Sequence, residues 1–262
     1  MVVILAVLIP VYNEERLIER AIARLDAVPR TMAADGTPIE RRLFIVDDGS
    51  TDLTPSALTG LAARPDVTVV HHPRNQGKGA AIRTALASAL EWRGPAGEQA
   101  DLFIIHDADL EYDPRDHEAM LDPMLDEAIR ADAVIGSRFL GLSHRVLYFW
   151  HFVANRGLTL FSNVCTNLNL SDIECCFKAF TREVAARLTI EEDRFGVEPE
   201  IVAKLAGMRV SEGPDAAGAK RPLRIYETAV SYAGRTYAEG KKIRWHDGFS
   251  ALWCILKYNL MR

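Results

Sequence analysis

The stretch Val2-Val3-Ile4-Leu5-Ala6-Val7-Leu8-Ile9, followed by Pro10-Val11-Tyr12-Asn13-Glu14, decides the fold class. Residues 2–9 are apolar without interruption, whereas a strand with one solvated face would alternate apolar and polar residues. Such a run is typical of a parallel strand that is covered on both faces. Helical periodicity follows over residues 14–28, so the chain opens with a strand and a helix.

The same succession of strand and helix signals continues through the first half. Further apolar runs predict strands at residues 43–46, 67–70, 102–105 and 133–136. Amphipathic segments predict helices at residues 52–64, 78–92 and 114–130. This order predicts an α/β fold with a mostly parallel, Rossmann-like central sheet, right-handed crossovers and helices on both faces.

The second half loses that rhythm. It predicts a long aromatic-rich helix at residues 146–168, a short strand at 177–180, a helix at 197–206, a strand at 223–232 and a closing helix at 248–259. Residues 211–221 are rich in Gly, Ala and Pro and predict a surface loop. Because no repeat or strong linker divides the chain, we expect one domain over residues 1–262.

Composition narrows the class of protein. The 262 residues are 48% hydrophobic and 26% charged, as in a globular protein, and the net charge of −5 argues against a nucleic-acid partner. Residues 2–9 lack a signal peptide's basic flank and are shorter than the roughly 20 residues of a membrane span, so we expect a cytoplasmic protein. The four cysteines do not show zinc-site spacing, and we expect reduced thiols.

Polar residues follow four of the predicted strands. Tyr12-Asn13-Glu14 follows the first, Asp47-Asp48 the second, His106-Asp107-Ala108-Asp109-Leu110-Glu111 the fourth and Ser137-Arg138 the fifth. Ligands bind at the carboxyl ends of the strands in open parallel sheets. The sequence therefore predicts a site at this edge, with many carboxylates and an arginine.

The cluster after the fourth strand favours a divalent cation. Asp107, Asp109 and Glu111 would share one face if the strand continues, because alternate residues of an extended chain point the same way. Three carboxylates repel one another, and Mg²⁺ or Mn²⁺ would relieve that repulsion. The alternative is a solvated acidic turn before a helix.

The other clusters each have a functional and a purely structural interpretation. Asp47 or Asp48 could bind the base or ribose of a nucleotide, while Asp52 caps the next helix and Gly49-Ser50 forms the turn. Asn75-Gln76-Gly77-Lys78-Gly79 precedes a helix without Walker spacing. Its glycines would let the backbone approach an anionic ligand at the helix N-terminus, or would simply join a loop to a helix.

Together these segments resemble the family 2 glycosyltransferases of the GT-A fold, particularly dolichyl-phosphate mannose and glucose synthases and their short bacterial relatives. The resemblance rests on residues 9–15, 46–52, 75–79, 107–109 and 136–138, and more weakly on 171–178 and 234–241, in the family's order. One departure is Glu174-Cys175-Cys176, where small residues including glycine are usual.

The resemblance implies roles for individual residues. The base and ribose would be held by Pro10, Tyr12, Glu14, Val46 and Asp48, with Lys78 also among the donor-binding residues. Asp107 and Ala108 would lie against the ribose and diphosphate, and Asp109 and Glu111 would bind the metal. The diphosphate or an acceptor phosphate would be approached by Arg138, Arg235 and Lys241.

The implied reaction is metal-dependent, inverting transfer of a hexose from a UDP- or GDP-sugar to an acceptor. Residues 1–140 would hold the nucleotide sugar and Mg²⁺ or Mn²⁺, and residues 141–262 the acceptor. The catalytic candidates are Asp109, Arg138, Asp172 and Arg235. A polyprenyl or dolichyl phosphate acceptor is already ionised and needs little base, whereas a soluble hydroxyl acceptor would require one, Asp172 or Glu174.

Two alternative functions, and three arrangements of the apolar segments near the C-terminus and at 146–164, remain open at the level of sequence. The chain could be a nucleotidyltransferase, although Tyr12-Asn13-Glu14 stands where a glycine- and lysine-rich loop is expected, or an inactive sugar-nucleotide sensor. The apolar stripe Phe249, Leu252, Trp253, Leu256 and the helix at 146–164 either close the core, form a homodimer contact, or lie peripherally on the inner face of the cell membrane. Basic residues flank the stripe, namely Lys241, Lys242, Arg244, Lys257 and Arg262.

Overall fold

A seven-stranded sheet organises the part of the chain described by the computed structural model, residues 2–29, 36–141, 145–146, 148–212, 219–236 and 245–261. Its strand order is β3-β2-β1-β4-β6-β5-β9. These strands are β1 (Val3–Val11), β2 (Ile39–Asp47), β3 (Val67–His71), β4 (Leu102–Ile105), β5 (Ala133–Ser137), β6 (Lys178–Thr181) and β9 (Ile225–Ala229). A small separate sheet pairs β7 (Arg209–Ser211) with β8 (Lys220–Pro222).

The helices connect and cover these strands. They are α1 (Ile18–Ala27), α2 (Thr54–Ala62), α3 (Lys78–Glu91), α4 (His117–Leu125), α5 (Phe149–Thr166), α6 (Arg182–Arg187), α7 (Val197–Gly207) and α8 (Trp245–Leu260). Helix α1 buries Ile18, Ala21, Ile22 and Leu25, the spacing that puts one face of a helix on a core. Helix α3, rich in alanine, packs closely on β1 and β2.

Strand β1 is at the centre of the core, as its sequence predicts. It runs parallel to β2 on one side and β4 on the other, with Val7 level with Leu43 and Ile104. Each residue from Leu5 to Ile9 is at most 1% exposed. The pairs β2–β3 and β5–β9 are also parallel, so the predicted α/β fold with a mostly parallel sheet is confirmed.

Strand β6 runs antiparallel to both of its neighbours, β4 and β5. It therefore begins at the edge of the sheet where the parallel strands end. Residues 171–177, which precede β6, are brought to the same edge as the polar clusters that follow β1, β2, β4 and β5. The sequence predicts the strand but not this direction.

Several predicted elements have different limits in the structure. The helix predicted at 114–130 is a short 3-10 turn, Pro114–Asp116, followed by α4, which ends at Leu125. It ends there because the Asp126 carboxylate accepts from the backbone of Ala128 at 2.7 Å, which competes with helical bonding. The two ends of the loop predicted at 211–221 pair as β7 and β8, while residues 213–218 lie outside the described part.

The apolar stripes predicted on α5 and α8 do not close the core, which is one of the three arrangements that the sequence leaves open. Helix α8 buries Ala251, Cys254, Ile255 and Tyr258, which lie on the face nearly opposite to the expected stripe. Phe249 and Trp253 are 65% and 54% exposed. Helix α5 packs against α8, yet its buried residues are Thr159 and Ser162. Within the described residues, no helix combines the length and apolarity needed to cross a bilayer.

Candidate active site

A cavity of about 640 Å³ opens where the parallel strands end. This size is typical of small-molecule sites. Most of the predicted site residues line it: Pro10, Tyr12, Glu14, Asp48, Lys78, Asp107, Ala108, Asp109, Glu111, Arg138 and Arg235. Val46 is buried inside β2 and Asp172 lies behind Arg138, so neither belongs to its lining. Lys241 lies outside the described residues.

The two aspartates that end β2 have different environments. Asp47 accepts from the backbone of Ser50 at 3.0 Å and from His71, and it does not line the cavity. Asp48 accepts from His72 Nδ1 at 2.7 Å and from the backbone amides of Gln76 and Gly77 at 2.9 and 2.7 Å. A carboxylate has about four acceptor positions, so Asp48 fixes the 75–77 loop and can still accept one further donor.

Lys78 is the cation on the inner side of the cavity. Its Nζ lies 2.8 Å from a carboxylate oxygen of Asp107 and 2.8 Å from one of Glu198. Burial disfavours the charged amine, yet the acidic neighbours, Asp107 first, hold the pKa of Lys78 well above its usual value. Asp107 therefore faces Lys78.

The glycines beside Lys78 accommodate protein backbone. Gly77 has a φ of +110°, and a Cβ on Gly77 or Gly79 would collide with the carbonyl oxygen of Asp193 or Glu192. The amide of Ala80, in the first turn of α3, donates to the Asp193 oxygen at 3.1 Å. The expected close approach is thus made by the 192–193 segment, which seals this side of the cavity.

Arg235 joins three carboxylates. Its guanidinium lies 3.0 Å from Asp109, 3.1 Å from Glu111 and 3.6 Å from Glu14. The chain leaves the extended conformation after Ile105, and Leu110 has a φ of +64°. This turn directs Asp109 and Glu111 to Arg235 and leaves Asp107 apart, so the predicted single face of three carboxylates does not form.

Asp109 is a buried carboxylate with acidic neighbours. Burial, then Asp107 and Glu111, raise the pKa of Asp109 to about 7 in spite of Arg235. Within the described residues, no three His, Cys, Asp or Glu side chains gather closely enough to hold a metal on their own. Asp109 and Glu111 contact one guanidinium and so lie close together, and a pair of carboxylates fits Mg²⁺ or Mn²⁺ that also takes oxygens from a diphosphate.

Arg138 lines the cavity and is held rigidly by Asp172. The Asp172 carboxylate accepts hydrogen bonds from the Nε of Arg138 at 2.6 Å, from its Nη2 at 2.8 Å and from its backbone amide at 3.1 Å. Burial opposes ionisation of Asp172, but Arg138 keeps the pKa of this carboxyl below its usual value. Both Asp172 oxygens are therefore engaged, and the geometry makes Asp172 the partner that positions Arg138.

The cavity lining also includes residues outside the predicted donor and metal set, among them Glu174, Glu198 and Tyr232. The only role that the sequence predicts for Glu174 is that of a possible base. Tyr232 donates its hydroxyl to Glu111 at 2.9 Å. Glu198 lies in the first turn of α7, where an acid is expected for helix stability alone. The sequence therefore does not distinguish Glu198 as a site residue.

Comparison with known proteins gives the family. The model "Glycosyl transferase family 2" matches residues 6–189, and the chain belongs to this family. It is 28% identical to a dolichyl-phosphate beta-glucosyltransferase of Trichomonas vaginalis over 81% of this chain and 65% of that one. It is 27% identical to a dolichol-phosphate mannosyltransferase of Pyrococcus furiosus over 80% of this chain and 55% of that one. The chain thus spans less than two thirds of these relatives' lengths.

Solved structures agree on the fold. Glucosyl-3-phosphoglycerate synthase of Mycobacterium tuberculosis, in complex with Mn²⁺, UDP and glucosyl-3-phosphoglycerate, matches with a TM-score of 0.64 and 20% identity, over 98% of this chain and 80% of that one. The same enzyme in complex with Mn²⁺ and UDP-glucose gives a TM-score of 0.65. The GT-A fold predicted from the motifs is therefore confirmed.

The glycine geometry gives a test of stability. Gly79→Ala should destabilise the protein by about 1–3 kcal/mol, because the new methyl group meets the Glu192 backbone, which cannot rotate away. Gly60→Ala is the matched control, since a Cβ there meets nothing within 4 Å and removing a helical glycine should stabilise by about 0.5–1 kcal/mol. Urea unfolding measures both, and equal stabilities would contradict the tight contact.

Proposed function

We propose that this chain transfers a hexose from a UDP- or GDP-sugar to a polyprenyl phosphate, with inversion and with Mg²⁺ or Mn²⁺. One observation carries the proposal: Asp109 and Glu111 lie side by side in the cavity at the edge of a GT-A sheet, with Arg138 also in its lining. The dolichyl-phosphate enzymes among the relatives support the acceptor class.

In the proposed reaction, the acceptor oxygen attacks the anomeric carbon opposite the leaving diphosphate, which inverts its configuration. Asp109 and Glu111 would hold the metal, which supplies Lewis-acid stabilisation of the leaving group. Arg138, fixed by Asp172, offers preorganised positive charge that needs no rearrangement during the step. Arg235, once its carboxylates hold a metal, can turn its charge to the diphosphate.

The nucleotide would lie between β1 and the 75–77 loop. Tyr12, Glu14 and Asp48 line that part of the cavity, and Asp48 can accept one donor beyond those it already holds. The imide N–H of uracil or guanine is such a donor. We prefer UDP, since the M. tuberculosis enzyme of the same fold is described with UDP-glucose.

The acceptor would reach the site from a membrane surface. Exposed apolar side chains lie on both of the packed helices α5 and α8 and are here together called the α5/α8 face: Phe149, Trp150, Phe152, Val153, Leu160 and Val164 from α5, and Phe249, Leu252, Trp253 and Leu260 from α8. Large exposed apolar surfaces mark interaction sites. We propose that it rests on the inner face of the cell membrane. A second copy of the chain is the other occupant.

A phosphate acceptor also agrees with the side chains available. Near neutral pH a phosphate monoester is already mostly ionised, with a second pKa of about 6, so its oxygen attacks without a base. Asp172 is a poor base because both of its oxygens bind Arg138. If the acceptor is instead a soluble hydroxyl, Glu174 is the remaining candidate for the base, but burial and Glu198 raise its pKa to about 8, so it would have to lose its proton first.

The metal role is tested by turnover. Asp109→Asn should lower donor hydrolysis and sugar transfer about a hundredfold or more, since it removes a carboxylate ligand from the metal that stabilises the leaving group. The measurement is release of UDP or GDP from a panel of nucleotide sugars, with Mn²⁺ or Mg²⁺ and with EDTA. Asp122→Asn, an exposed acid on α4, is the matched control and should match wild type. Full activity in EDTA would rule out the metal role.

The membrane role is tested by flotation with vesicles of phosphatidylcholine and phosphatidylglycerol. Wild type should float at low salt, and Trp253→Glu should not, because a charge in the α5/α8 face opposes insertion. Leu53→Glu, at a residue that is 69% exposed and directly precedes α2, should float as wild type does. If wild type stays at the bottom and sediments as a dimer that Trp253→Glu dissociates, the face is a homodimer contact.

A further inference from the structure

One part of the cavity wall has no role in the binding proposed for the nucleotide and the metal, and it does not include the two arginines. It is formed by Glu174 and Glu198, which both line the cavity. Each has a buried oxygen without a hydrogen-bond partner in the described structure, Oε1 of Glu174 and Oε2 of Glu198. Leaving such an atom unpaired costs about 1–3 kcal/mol, so a pair of them in one cavity indicates a ligand with matching polar groups.

Glu198 is held in place by Lys78. The Lys78 amine lies 2.8 Å from Glu198 Oε1, which leaves Oε2 as the unpaired acceptor. The same amine binds Asp107 at 2.8 Å. Glu198 belongs to the first turn of α7 and is 6% exposed, so it cannot swing into solvent without unpacking the helix.

Glu174 is held through its backbone. Lys178, which is wholly buried, donates its Nζ to the carbonyl of Ile173 at 3.2 Å and to that of Cys175. These are the two carbonyls that flank Glu174. The amide of Glu174 itself donates to Asp172 at 3.1 Å. The lysine therefore fixes the shape of the loop that presents the Glu174 carboxyl to the cavity.

The two carboxyls differ in charge. Burial, and next the neighbouring Glu198, raise the pKa of Glu174 to about 8, with Lys178 and Arg138 opposing and Asp172 adding to the rise. At neutral pH, Glu174 thus carries a proton that it can donate, while Glu198 accepts beside the Lys78 ammonium. A protonated acid next to a carboxylate matches neighbouring hydroxyls, each of which both donates and accepts.

We propose that Glu174 and Glu198 bind hydroxyls of the transferred sugar and restrict the donor to neutral hexoses. This rests on the proposed function, which puts a nucleotide sugar in this cavity. Asp107 and Glu198 together exceed the single charge of Lys78 by one negative charge, so the wall should repel the carboxylate of a hexuronate. Arg194 also lines the cavity, but it is exposed, and water and salt screen its charge.

The test is the gain in affinity that the sugar adds to the nucleotide. Calorimetry with Mn²⁺ at pH 7 gives the Kd of UDP, UDP-glucose and UDP-glucuronate, and of GDP and GDP-mannose. In wild type, UDP-glucose should bind more tightly than UDP-glucuronate. Glu198→Gln and Glu174→Ala should reduce the gain from the hexose about tenfold or more, where the gain is measured against each variant's own Kd for the nucleotide alone.

Two comparisons separate recognition from loss of structure. Glu174→Gln should keep the hexose gain within about threefold, because an amide also donates and accepts. Glu198→Gln should improve binding of UDP-glucuronate, an effect that misfolding does not produce. Glu192→Gln is the matched control, since Glu192 pairs with Lys257 outside the cavity lining.

The proposal is overturned if Glu198→Gln and Glu174→Ala leave the hexose gain at its wild-type value, or if wild type binds UDP-glucuronate as tightly as UDP-glucose. A wild-type chain that binds neither UDP nor GDP contradicts the proposed function itself. The two failures are therefore distinguishable.

Discussion

Strand β6 runs against both of its neighbours, and the site depends on this reversal because it joins two distant parts of the chain at one edge. A parallel β6 would send residues 171–177 to the opposite edge, away from the ends of β1, β2 and β4. As it is, Asp172 reaches Arg138 after β5, and Glu174 reaches the cavity. The charged edge made by the first half of the chain thus gains a second wall from the other half.

Ion pairs between the acidic and basic side chains of the cavity then determine which of these side chains can bind a ligand. The cavity holds carboxylates in a poorly solvated space, where each needs a partner. Lys78 forms ion pairs with Asp107 and Glu198, and Arg138 forms one with Asp172. Arg235 forms ion pairs with Asp109, Glu111 and Glu14. Arg235 has the most acids around it, and Asp109 remains strained beside it. Mg²⁺ or Mn²⁺ held by Asp109 and Glu111 would relieve that strain. Because the same metal would also take oxygens from the donor diphosphate, metal binding and nucleotide binding would be linked.

The sequence predicts the features that depend on local pattern. The apolar run at residues 2–9 gives the buried β1, and the polar strand ends give most of the cavity lining. What it misses depends on contacts between distant residues. The direction of β6, the pairing of Asp107 with Lys78 and the position of Glu198 are set by packing. Helix α8 buries the face nearly opposite to the predicted stripe, and the sequence does not distinguish the two faces because both are apolar.

The central claim is that Asp109 and Glu111 hold a metal that also binds the donor diphosphate. The direct measurement is the Kd of Mn²⁺ by calorimetry, with and without saturating UDP or GDP, for wild type and Asp109→Asn. The account predicts that the nucleotide tightens Mn²⁺ binding about tenfold or more in wild type, and that Asp109→Asn loses this coupling. Equal Mn²⁺ affinity with and without either nucleotide in wild type would contradict it.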